Sequence, residues 1–177
     1  MMKLFAGLAF ALANTVALAG NNAAPFNLEI GAATLAQAQK EFGGAPSLAA
    51  KGQNKFTAGP MYQVAGKKTG IEGIQSVLLI FNTRNVLEGV VITMPKDPKS
   101  MFKSLSAKYQ LVSEDIDGFM NMGSATFRKG DTIIEIDAPH LSFQMEVRYL
   151  SKSLMDTFEK TVATEKEEKE KKKNKAL

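Results

Sequence analysis

Three segments in the second half of the chain, 124–128, 132–138 and 143–149, alternate apolar and polar residues. Only an extended strand places residues i, i+2 and i+4 on one side, so each segment reads as a strand with two unlike faces. In the last one Phe143, Met145, Val147 and Tyr149 face one way, and Gln144, Glu146 and Arg148 face the other. Lys129-Gly130-Asp131 is a tight turn between the first two. The pattern predicts an antiparallel sheet with one packed side and one wet side.

The first half carries further strands. Segments 76–83 and 86–94 are rich in Val, Leu and Ile, and the polar run 82–85 between them makes a hairpin. Residues 77–81 are apolar on both faces, as expected of an interior strand covered on each side. Segment 60–64 is a further strand, and 26–30 alternates until Gly31 ends it. Residues 45–58 and 113–123 read as loops.

Helix signals separate these strands. Thr34 and Gln37 form a T-x-x-Q capping box; Leu35, Ala38 and Phe42 follow at helical spacing, and Gly43-Gly44 ends the helix. Asp97 before Pro98 starts a second helix, whose apolar face is Met101, Phe102, Leu105 and Tyr109. Ser153 and Asp156 open a third, with Leu154, Phe158 and Val162 along one side. The expected order is β-α-βββ-α-βββ-α. That is an α+β fold with an antiparallel sheet and helices packed on one face. A helix followed by three strands occurs at 34–94 and again at 97–150, which suggests a tandem repeat.

The ends of the chain are of another kind. Met1-Met2-Lys3, an apolar run over 4–19 and Ala17-Leu18-Ala19 before Gly20 have the form of a secretory signal peptide. The run is too short for a bilayer span. Cleavage near Ala19-Gly20 would place the protein in the periplasm or outside the cell, with 20–158 as a single domain. Segment 159–177 holds seven Lys and five Glu and is expected to be a frayed helix or disordered tail. Its interspersed glutamates reduce any pull on anionic surfaces to a weak contact. The chain has no cysteine, which excludes thiol catalysis, cysteine-bound zinc and a lipid-modified N-terminal cysteine. Over 20–158 there are 14 basic and 13 acidic residues, with no basic stripe of the kind nucleic acid requires.

Ile30-Gly31 leading into Thr34, a short helix, and then Gly44-Ala45-Pro46 resemble the opening of the small SmpA/OmlA-type lipoproteins of outer-membrane assembly. The hairpin Leu79-Ile80-Phe81-Asn82 through Val86-Leu87 is similar to a later part of that module. The resemblance covers residues 30–94. The β-lactamase-inhibitor protein is built from two such units, which suits the twofold pattern. The resemblance implies a surface that binds another protein, and no catalytic machinery.

Residues that could carry chemistry are few. His140 is the only histidine and lies three positions from Asp137, but zinc takes three or four protein ligands. Ser124 follows Gly123 without the nucleophile-elbow motif of a hydrolase. Met120 and Met122 are soft enough for Cu(I) but are ordinary packing residues beside Phe119. No cofactor is expected. Glu135 and Asp137 share one side of a strand, as do Glu146 and Arg148 on the next, giving a polar recognition surface on the wet face. Glu135, Asp137, His140, Glu146 and Arg148 are therefore the candidate binding residues. The expected activity is non-enzymatic binding of an envelope protein or peptide by the sheet face or edge. A carrier of a small apolar or lipid-like ligand ranks second, and a hydrolase third.

Overall fold

The computed structural model describes residues 20–175; the leader expected over 1–19 lies outside them. Helix α1 (Leu35–Glu41) starts at the capping box. The Gln37 amide donates to Thr34 Oγ1 at 3.3 Å, and the Gln37 side-chain oxygen accepts from the Thr34 amide at 2.8 Å. It stops where Gly43 and Gly44 take φ of 84° and 105°, values that side chains resist. Helix α2 (Pro98–Ser106) starts where the Asp97 carboxylate accepts from the Ser100 amide at 3.1 Å.

Each helix is followed by four strands. After α1 come β1 (Leu48–Gln53), β2 (Ala58–Ala65), β3 (Ser76–Asn82) and β4 (Leu87–Pro95). After α2 come β5 (Gln110–Asp117), β6 (Met122–Lys129), β7 (Thr132–Ala138) and β8 (Gln144–Ser151). All eight form one antiparallel sheet in the order β1-β2-β3-β4-β8-β7-β6-β5. The two four-strand meanders meet at their last strands, with Gly89 opposite Leu150 and Pro95 opposite Gln144. The fold is α+β.

The observed order is α-ββββ-α-ββββ-α, so three expectations change. The strand expected over 26–30 is a single 3-10 turn at Pro25–Asn27, with Phe26 and Asn27 at positive φ. Its alternation was real, since Leu28 and Ile30 are buried, but their carrier is coil beneath the sheet. Conversely, 48–53 and 110–117 are strands where loops were expected. They are the two outer edges, paired by backbone on one side only, and only Leu48 among their residues is buried. Finally β8 begins at Gln144, so Phe143 falls outside the strand and is exposed.

The packed side of the sheet presents Val64, Val77, Phe81, Phe127, Ile134 and Val147, all fully buried. Burial of each such side chain contributes about 1.5–3 kcal/mol. The helices α1 and α2 cover this side. Phe102 of α2 lies 5.6 Å from the Phe127 ring, and Tyr109 meets Tyr149 edge-on at 6.1 Å.

Helix α3 (Lys152–Lys175) takes the opposite side. Its cap is Ser151, whose hydroxyl accepts from the Leu154 amide at 3.0 Å. Leu154 then settles over Gly89, where any Cβ would meet Leu150, Leu154 and Ile80 at 3.1–3.4 Å. The helix continues to Lys175, through the stretch expected to fray. Phe158 packs edge-on against Phe56 at 5.1 Å, and Lys55 pairs with Glu165 at 2.6 Å, tying α3 to the β1–β2 turn. Two helices therefore pack on one face and the third on the other.

Candidate binding surface

Register brings four of the five expected residues together. Glu135 lies opposite Arg148, and Asp137 opposite Glu146. Residues directly opposite share a side of the sheet. The same row runs on through Ser124 to Asp115 in one direction and to Thr93 in the other. Arg148 is the hub. Its Nη2 lies 2.6 Å from Asp137 and 2.8 Å from Glu146, its Nε donates to Glu146 at 2.9 Å, and its Nη1 is 3.9 Å from Glu135. Burial alone lowers the Arg148 pKa, but the hydrogen bond and charge of Glu146, then those of Asp137, hold it above the ordinary arginine value. One guanidinium facing three carboxylates leaves two negative charges in excess.

His140 does not join them. It is exposed in the turn between β7 and β8 and makes no hydrogen bond or ion pair among the described residues. Among those residues, no group of three or more acids or histidines is placed to hold a metal. No described helix is long and apolar enough to cross a membrane.

The largest feature that sequence reasoning missed is at the end of the sheet where β5–β6 and β7–β8 turn. Phe119 and Phe143 are each 96% exposed and Leu141 is 93% exposed, with Met120 half exposed beside them. The turns are held in place. The Asp117 carboxylate accepts from the Phe119 and Met120 amides at 2.8 and 3.0 Å. Lys96 reaches the Pro139 carbonyl with Nζ at 2.6 Å, and its amide donates to the Phe143 carbonyl at 3.0 Å. Asn121 donates back to the Lys96 carbonyl at 3.3 Å, so one residue links both turns. A shallow cleft lined by Pro139, Ser142, Gln144, Asp137, Glu146 and Arg148 joins the tips to the acidic row.

The chain matches no protein-family model, no curated protein and no solved structure.

Two larger clefts are apolar. One, of about 380 Å³, lies between α2 and the packed side, lined by Ile71, Ile92, Met101, Tyr109 and Tyr149. Burial, then the neighbouring Tyr109, pushes the Tyr149 phenol pKa well above its ordinary value of 10.0. The other, of about 410 Å³, lies beside α3 on the opposite side of the sheet.

Proposed function

We propose that this chain is an exported protein of the bacterial envelope that acts by binding another protein or a peptide on the polar side of its sheet. The observation that carries this reading is the Arg148 cluster, an oriented array of charge on the polar side of the sheet. Beside it stand large apolar side chains held out on tethered turns. Fully exposed aromatics next to an oriented polar array are the ingredients of an interface, with apolar anchors for affinity and charge for register. The two excess negative charges select a partner surface bearing Lys or Arg.

Export fits the way the chain enters the fold. From Asn22 onward it is bound in: the Asp131 amide donates to Asn22 Oδ1 at 2.8 Å, and the Ala23 amide donates to Thr132 Oγ1 at 3.2 Å. Removal of 1–19 leaves every one of these contacts intact.

The test is a photo-crosslinking residue placed at Ser124 on the polar side, with Lys99 on α2 as the control, in the native cell. A discrete adduct from position 124 alone, weakened in an Asp137→Asn, Glu146→Gln protein, is the expected result. Equal adducts from both positions, or none from 124, would refute the reading.

A further inference from the structure

The cleft beside α3 is built differently from the cleft under α2. Its walls are Phe56 from the β1–β2 turn, Ile80 and Leu150 from the sheet, and Leu154, Met155 and Phe158 from α3. Its polar end is Glu135 with Arg148. The volume of about 410 Å³ lies in the range of small-molecule sites, which are mainly apolar with a few polar groups fixing orientation. The cleft exists because α3 crosses the sheet on Gly89 and is pinned further along by the Phe56–Phe158 and Lys55–Glu165 contacts.

The charge at the polar end decides the ligand. Arg148 spends its short contacts on Asp137 and Glu146. Glu135 is left 3.9 Å from the guanidinium and accepts no hydrogen bond from the protein among the described residues. No lysine among the described residues lines the cleft, and Lys55, beside Phe56, is paired with Glu165. An anionic head group would meet the Glu135 carboxylate and a guanidinium already held by Asp137 and Glu146, whereas a cationic one would find Glu135 available. We propose that this cleft binds a small amphiphile with an apolar tail and a cationic head, the tail along Phe56, Leu150 and Phe158 and the head at Glu135. The site does not depend on the partner-binding reading, since it can be filled on the isolated protein.

The test uses three probes of equal chain length, octyltrimethylammonium, octanol and octanoate, titrated by calorimetry into the purified full chain below the micelle concentrations of the two ions and the solubility limit of the alcohol. The cation is expected to bind about fivefold tighter than the alcohol, the scale of one partly exposed charge pair, with octanoate weakest. Glu135→Gln should bring the cation to the level of the alcohol without changing alcohol binding. Phe158→Ala should weaken all three, and Phe56→Ala repeats that test should the first variant lose its fold by circular dichroism. Ile71→Ser, in the cleft under α2, should change nothing. Octanoate binding as tightly as the cation, no measurable binding of the cation, or sensitivity to Ile71→Ser with none to Glu135→Gln would each overturn the proposal.

Discussion

Arg148 stands directly across the β7–β8 pair from Glu135, yet its guanidinium turns along the sheet to Asp137 and Glu146 and stops 3.9 Å short of that neighbour. The diagonal and same-strand acids win because together they offer three short contacts where the opposite one offers a single longer one. The arrangement separates two roles on one surface. Asp137 and Glu146 hold the arginine, and Glu135 keeps an uncommitted carboxylate.

Replacing the hub tests whether the cluster is held together by that one cation. In Arg148→Gln the three carboxylates face one another without compensation, at sites only partly open to water. The expected loss is about 1–2 kcal/mol of stability at neutral pH, since the pairs are partly exposed and screened. It should shrink when Asp137→Asn and Glu146→Gln are added, because the repulsion is then gone. Urea unfolding of the three proteins measures both values.

Tyr149 makes stability depend on alkaline pH. Its phenol is held neutral in the fold, with its pKa raised above the ordinary 10.0 first by burial and then by Tyr109. A group whose folded pKa is raised contributes fully below its unfolded pKa, and that contribution is lost as pH rises past it. Stability should therefore fall from pH 10 upward, by up to about 1.4 kcal/mol for each pH unit from this group alone. Tyr149→Phe has no proton to lose and should show a shallower fall. Thermal melts of both proteins across that range give the comparison.

The sequence pattern foretold the centre of the sheet and not its margins. Strands β3, β4, β7 and β8 are bordered on both sides, so their residues alternate or run apolar as burial demands. Strands β1 and β5 need only backbone pairing on one side, and residues such as Ala49, Lys51, Ser113 and Glu114 carry no mark of it. The polar cluster was legible because period two alone places Glu135 with Asp137 and Glu146 with Arg148. The exposed tips were not, because Phe143 keeps the phase of Met145 and Val147 while the strand starts one residue later. The cleft beside α3 had no local signal either. It arises from where the last helix crosses the sheet, a relation between residues 80, 135 and 158 that no short window contains.

The edge at β5 depends on one glycine. Gly123 takes φ of +121°, and a Cβ there would run into the Asp115 carbonyl across the β5–β6 pair. Gly123→Ala should cost about 2–3 kcal/mol, from backbone strain together with the displaced edge strand. Gly52→Ala also has positive φ but meets nothing within 4 Å, so about 1 kcal/mol is expected. Chemical denaturation gives the totals. Hydrogen exchange adds the location, with early loss of protection in β5 for the first variant only.

The apolar tips separate binding from folding. Phe119 and Phe143 are nearly bare of contacts, so Phe119→Ser with Phe143→Ser should shift stability by no more than about 0.5 kcal/mol. A small gain is as acceptable as a small loss, because the side chains bury little in the folded state. If they anchor a partner, the same pair of changes should reduce the adduct from position 124 by tenfold or more, about 1.4 kcal/mol at the least for truncated anchor residues. The acids of the Arg148 cluster should act differently: their loss should weaken capture most at low salt and flatten its dependence on salt. Measuring adduct yield against sodium chloride for the tip variant and for Asp137→Asn, Glu146→Gln distinguishes an apolar anchor from a charged guide. Equal salt slopes in the two variants would mean that the tips and the acidic row do not divide the work in this way.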